Sequence, residues 1–150
     1  MKTEYRSMRL RQLSSSLAPF ELARSQTRPS RGWLQAIREA LGLTLDSVGK
    51  AAEVTRQRIH KYEKAEAEDR ITLATLRRVA GAMDCELVYA IVPKSGSLIE
   101  LAERRARDQA TRRVLAAEHT MALENQAAGN IEQAIDDETQ RILKQSKSGR

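Results

Sequence analysis

Between Gly42 and Glu63 the chain reads Gly-Leu-Thr-Leu-Asp-Ser-Val-Gly-Lys-Ala-Ala-Glu-Val-Thr-Arg-Gln-Arg-Ile-His-Lys-Tyr-Glu, and its two threonines leave the fold little freedom. A threonine hydroxyl accepts from an unpaired backbone N–H, so Thr44 and Thr55 each read as the N-cap of a short helix. Leu45, Val48, Ala51 and Ala52 recur at helical spacing, which gives the first helix one apolar face. Glu53-Val54 makes the turn, and Ile59 and Tyr62 anchor the second helix. Its other positions, Arg56, Gln57, Arg58, His60, Lys61 and Lys64, suit a polyanion. A helix anchored on one side, with Arg, Gln and Lys outward from its N-terminal end, fits the major groove of double-stranded DNA. The DNA-facing set is therefore Thr44, Thr55, Arg56, Gln57, Arg58, His60, Lys61 and Lys64. Within it Arg56, Gln57 and Lys61 are expected at bases, and Arg58 and Lys64 at phosphates.

The stretch from Trp33 to about Met83 resembles the Cro/C1-type (XRE) helix-turn-helix family. The resemblance implies a five-helix, lambda-repressor-like domain, with Thr55 as cap and Arg56, Gln57 and Lys61 at the base-facing positions. Leu45 stands where many members carry a phosphate-touching Gln. The competing reading is an amphipathic helix pair with a solvated basic face.

Charge is unevenly placed. Residues 1–31 carry seven Lys/Arg against two acids, residues 32–92 balance nine against nine, and residues 114–143 hold six acids and only Arg141. The net charge of +6 favours a nucleic-acid partner. One Trp, one Phe and three Tyr are too few for base-stacking platforms, which argues against single-strand binding. Cys85 is the only cysteine, so no intrachain disulfide forms and a reducing cytoplasm is expected. His60, His119 and Cys85 lack metal-ligand spacing. No apolar run approaches the roughly 18 residues of a membrane span, and no signal-peptide pattern opens the chain.

Residues 4–20 read as a helix with Met8, Leu10, Leu13, Leu17 and Phe20 inward, and Ser25 to Gly32 as a polar linker. Trp33, Leu34, Ile37 and Leu41 form the inner face of the next helix, which Gly42 ends. Thr72 caps another helix, carrying Leu73, Leu76, Val79, Ala80 and Met83. Glu86 to Val92, ending at Pro93, is β-branched and aromatic and reads as a strand. A lone strand leaves its backbone groups unpaired. Leu87, Val88, Tyr89 and Ile91 are accordingly expected to pair with the same strand of a second copy, as in some helix-turn-helix antitoxins that the segment resembles. The alternative is an apolar tail on the helical core.

From Ser97 onward a long helix carries the stripe Ile99, Ala102, Ala106, Ala110, Val114, Ala117 and Met121. Alanine buries little area, so packing or a partner must hold this helix. Asn130 can cap a last helix with Ile131, Ala134, Ile135 and Ile142 inward. Thr120 and Glu124 lie one helical turn apart, with Asn125 beside them. That order resembles the inhibitory-helix motif restraining Fic-domain AMP-transferases. The resemblance implies that Glu124 pairs with an arginine needed for the ATP γ-phosphate, a bidentate charge-assisted contact. The competing reading is a solvated helix face with a local Thr–Glu contact.

Leu17-Ala-Pro-Phe, Lys64-Ala-Glu-Ala-Glu, Thr75-Leu-Arg-Arg, Cys85-Glu-Leu-Val-Tyr-Ala and Thr120-Met-Ala-Leu-Glu extend a resemblance over most of the chain. They are similar to the bacterial mobile mystery protein A family, typically encoded beside a Fic-domain partner. The expectation is a mostly α protein in four parts: a helical arm and linker (1–28), a helix-turn-helix domain (29–84), a dimerisation strand (85–93) and C-terminal helices (94–150). It would act as a cytoplasmic homodimeric repressor on a DNA operator and as antitoxin to a Fic-domain toxin. No cofactor and no membrane contact are expected. A plain XRE regulator, whose C-terminal helices serve dimerisation or ligand sensing, is the alternative. No paired acids, nucleophile-and-base set or phosphate-cradling glycine loop points to an enzyme.

Overall fold

The structure, a computed structural model, describes the backbone of residues 2–123 and 130–145 and the side chains of residues 5–120 and 130–144. Seven α-helices lie among these residues: α1 (Lys2–Glu21), α2 (Trp33–Ala40), α3 (Leu45–Ala51), α4 (Arg56–Ala67), α5 (Leu73–Ala82), α6 (Leu98–Leu123) and α7 (Ile131–Gln145). A 3-10 turn, Leu22–Ser25, follows α1. The chain divides into two compact units, one of residues 26–89 and one of residues 1–25 with 90–150. None of the described helices is long and apolar enough to cross a membrane.

In the 26–89 unit, threonine starts three helices. Thr44, Thr55 and Thr72 hydroxyls accept from the backbone N–H groups of Ser47, Arg58 and Thr75. Ser47 returns a contact to the Thr44 N–H, completing a capping box. Each of the four helices stops by one device. After α2, Gly42 N–H donates to Glu39 O and Leu43 N–H to Arg38 O, with Gly42 at φ 67°. The same pair of bonds closes α3, α4 and α5 around Glu53, Asp69 and Asp84, all left-handed. This is the Schellman closure, which satisfies the last carbonyls of a helix. Caps at both ends allow helices of seven to twelve residues to stand, though none would be stable alone.

The core of this unit is Leu34, Val48, Ala52, Ile59, Val79 and Met83. Four helices build the unit, not the five that the sequence resemblance implied. Trp33, Leu41 and Leu73 were expected inward but are 49%, 55% and 44% exposed. Trp33 and Leu73 open their helices, where Cβ tilts back past the helix end, and Leu41 sits at a C-cap. Ala51 is exposed as well, and Gly49 takes the inner position.

The expected dimerisation strand is not there. Residues 85–93 carry no regular secondary structure: a strand requires a ladder, and no described segment pairs with them. β-branched residues favour extended backbone without supplying a partner. Leu87 is half-buried, and Val88, Tyr89 and Ile91 are 65%, 57% and 86% exposed. The Arg77 guanidinium lies 5.5 Å from the Tyr89 ring centroid, a cation–π contact.

In the second unit α1 and α7 both pack on α6. The inward positions of α1 are Leu10, Ser14, Leu17, Phe20 and Glu21; Met8 and Leu13, expected inside, are exposed. Ser97 and Glu100 form a reciprocal cap at the start of α6. Arg24 donates to Pro93 O and Gly96 O at 2.7 and 2.9 Å, and Arg104 to Ser95 O at 3.0 Å, pinning the preceding loop. Between α6 and α7 the buried residues are Ala106 and Ala110 on one helix and Ile135 and Thr139 on the other. Ala117, Ile131 and Ala134 face outward, against expectation. Arginines close the seam from outside. Arg107 bonds Asp136 and Glu132, and Arg113 and Arg141 share Glu138.

Candidate nucleic-acid interface

The orientation of α4 decides what the 26–89 unit can touch. Its buried residues are Ile59, Glu63 and Glu66, with Tyr62 half-buried against the core. At 3.6 residues per turn, the pole opposite that stripe carries Gln57, Lys61 and Lys64, flanked by His60 and Arg58. All five side chains are exposed, as is Arg56. Gln57, Arg58 and Lys61 line one shallow groove with Thr55 and the turn residues Glu53 and Val54. His60 and Lys64 line a second groove with Ser30, Arg31 and Gln35. Arg56 lies on the α3 side, its guanidinium 3.7 Å from the Asp46 carboxylate. Thr44 and Thr55 sit exposed at the N-termini of α3 and α4, where their hydroxyls are engaged as caps.

The buried carboxylates of α4 are the part that sequence reasoning missed. Glu66 Oε1 and Oε2 accept from the Trp33 and Leu34 N–H groups, both at 2.8 Å, so a side chain of α4 caps α2. Gly32 at φ 84° permits this, because a Cβ there would lie 2.6 Å from Glu66 Oε2. Arg28 in turn donates to Glu66 O, Ala67 O and Asp69 Oδ1, covering the C-terminus of α4. Glu63 receives a forked contact from Arg38, Nε to Oε1 at 2.5 Å and Nη2 to Oε2 at 3.1 Å. The Glu63 hydrogen bond is the main cause that holds the Arg38 guanidinium above its ordinary pKa, against the opposing effect of burial. The signal available in the sequence was the placement of Glu63 and Glu66 one turn apart on the Ile59 side of the helix.

The turn is fixed as tightly. Gly49 faces it, and a Cβ there would stand 2.8 Å from Val54 O. Glycine in the middle of α3 thus permits the close approach of the two helices that sets the angle of α4. Two capped helices, a tight turn and an outward Gln-Lys-Lys face make the arrangement that presents a helix to the major groove. Residues 34–89 match the helix-turn-helix family model. This segment is a helix-turn-helix domain of the XRE type. No curated protein and no solved structure matches the chain. The matched family is one of DNA-binding, regulatory domains and not an enzyme family.

Outside that domain the candidate residues are less assembled. Thr120 is exposed on α6 and donates its hydroxyl to Ala116 O at 3.1 Å, a bond within the helix. Glu124 and Asn125 lie outside the described residues. Among the described residues no group of three or more His, Cys, Asp or Glu side chains is placed to hold a metal ion.

Proposed function

We propose that this protein is a sequence-specific transcriptional repressor that reads an operator with α4. The observation that carries this reading is the clean division of that helix. Ile59, Glu63 and Glu66 are buried by core and cap contacts, while Gln57, Lys61, Lys64, His60, Arg58 and Arg56 are all exposed. Gln57 and Lys61 occupy the centre of the exposed face, where base edges would be met. Glutamine suits adenine N6/N7, and lysine suits guanine O6/N7. Arg56, beside Asp46, is the third base-reading candidate. Arg58, His60 and Lys64 sit toward the flanks or the C-terminal end, as phosphate contacts would. A single helix offers few base contacts, so a homodimer on two half-sites about 34 Å apart is part of the proposal. The test is selection of bound sequences from a random duplex pool, followed by footprinting on the winner. Enrichment of no sequence would refute the reading.

The second half of the proposal concerns the C-terminal helices. The Thr120-to-Asn125 resemblance to the Fic inhibitory motif, together with the similarity of the chain to the mobile mystery protein A family, supports an antitoxin role. Glu124 would compete for the arginine that positions the ATP γ-phosphate, with Thr120 and Asn125 orienting it. The experiment is co-purification with a Fic-domain AMP-transferase encoded beside it, then an AMP-transfer assay. Glu124→Gln keeps shape and helix propensity, so it should still bind the partner and DNA yet fail to suppress AMP transfer. Suppression as strong as that of the unaltered chain would reduce Thr120-to-Asn125 to an ordinary helix face.

A further inference from the structure

α6 carries five arginines around a stripe of alanines, and their partners differ. Arg104 bonds a backbone carbonyl, Arg107 two carboxylates and Arg113 one. Arg105 has no hydrogen bond or ion pair among the described residues, and neither does Arg6, which faces it from α1.

Both residues line a cleft of about 340 Å3 formed by α1, α6 and α7. The cleft exists because α6 contributes Ala102 and Ala106 at that level, side chains too small to fill a three-helix junction. Leu98, Leu101, Ile142 and Leu143 complete an apolar wall, and Gln109 adds an amide. The volume lies within the range of about 300–1,000 Å3 typical of small-molecule sites, as does the lining of apolar side chains with few polar groups.

We propose that this cleft binds a small amphipathic anion, a monocarboxylate with a medium-length alkyl tail. The apolar wall excludes a bare inorganic anion as the best fit, since nothing would cover Leu101, Ile142 and Leu143. The paired cations exclude a neutral hydrocarbon, because a guanidinium beside an apolar ligand loses hydration without gaining a partner. A carboxylate offers each guanidinium the planar, two-oxygen acceptor that its fork matches. This site is separate from the DNA-reading helix and gives the 1–25 and 90–150 unit a ligand of its own.

The test is calorimetric titration of the full chain with octanoate, with octan-1-ol as the uncharged comparison and thermal melting as a second readout. Octanoate should bind, raise the melting temperature and outcompete octan-1-ol. Arg6→Gln and Arg105→Gln should each weaken octanoate binding about tenfold, the loss of one charge-assisted contact, and leave octan-1-ol unaffected. Ala102→Leu should abolish binding of both while the protein melts no lower, which separates a filled cleft from a misfolded one. Octanoate bound no better than octan-1-ol would overturn the proposal. So would unchanged affinity in the double Arg variant, or a dimer that dissociates on Arg6→Gln and Arg105→Gln, which would make the cleft an interface between copies.

Discussion

Replacing Arg38 by Met tests whether the buried charge pair holds α4 in place. The side chains of Arg38 and Glu63 are 12% and 4% exposed, and the guanidinium also donates to Leu43 O at 3.2 Å. Methionine keeps most of the volume but leaves the Glu63 carboxylate beside Ile59 without a counter-charge. Breaking a buried pair from one side costs about 3–5 kcal/mol. Water reaches one edge of Arg38, so the lower end, about 3 kcal/mol, is expected. At roughly 4–8 °C per kcal/mol for a domain of this size, the melting temperature should fall by about 12–24 °C. Trp33 is the only tryptophan and lies in this unit, so its fluorescence in a urea titration follows this unit's unfolding. The double variant Arg38→Met/Glu63→Leu should recover most of the loss, because no uncompensated charge remains. A single variant within about 1 kcal/mol of the unaltered chain, or a double variant no better than the single, would refute the reasoning.

Other perturbations act on the turn and on the exposed face. Gln57→Ala should weaken the selected operator by about 1–3 kcal/mol and relax preference at one base position, measured by gel shift on single-base variants. Lys64→Ala should weaken all sequences alike and lower the slope of affinity against salt by about one. Glu53→Gly removes a left-handed Cβ costing about 1–2 kcal/mol and adds chain entropy of about 0.5–1 kcal/mol. Urea titration should therefore show a net gain of roughly 0.5–1 kcal/mol. Gly49→Ala forces a Cβ against Val54 O, and should lose about 1–3 kcal/mol together with operator affinity as the angle of α4 shifts.

The start signals were legible because they are local. A threonine cap acts within three residues of itself, so Thr44, Thr55, Thr72 and also Asn130 could be placed from the sequence, and each accepts the expected N–H. Helix ends were harder. Gly42 announced one closure, but Glu53, Asp69 and Asp84 adopt the same left-handed conformation without glycine. The segment 86–92 misled because β propensity describes backbone shape, whereas a strand is a relation between two segments. Leu13, Trp33 and Ile131 misled for a related reason: apolar character marks a side chain that gains from burial, and position in the helix decides whether anything is there to cover it.

The buried acids of α4 show where single-sequence reading of an interface stops. Glu63 and Glu66 carry the same charge as Glu68 and Asp69, and composition treats all four as surface. Their roles depend on Arg38 and on the N–H groups of Trp33 and Leu34, 25 to 33 residues away in the chain. Those contacts also fix which face of α4 is left exposed. With Glu63 and Glu66 turned inward, Gln57, Lys61 and Lys64 become the outward pole and Arg56 moves to the side, next to Asp46. The outward charge of α4 is thus set by two inward charges of opposite sign, and the proposed base-reading residues cannot be ranked until those two are placed.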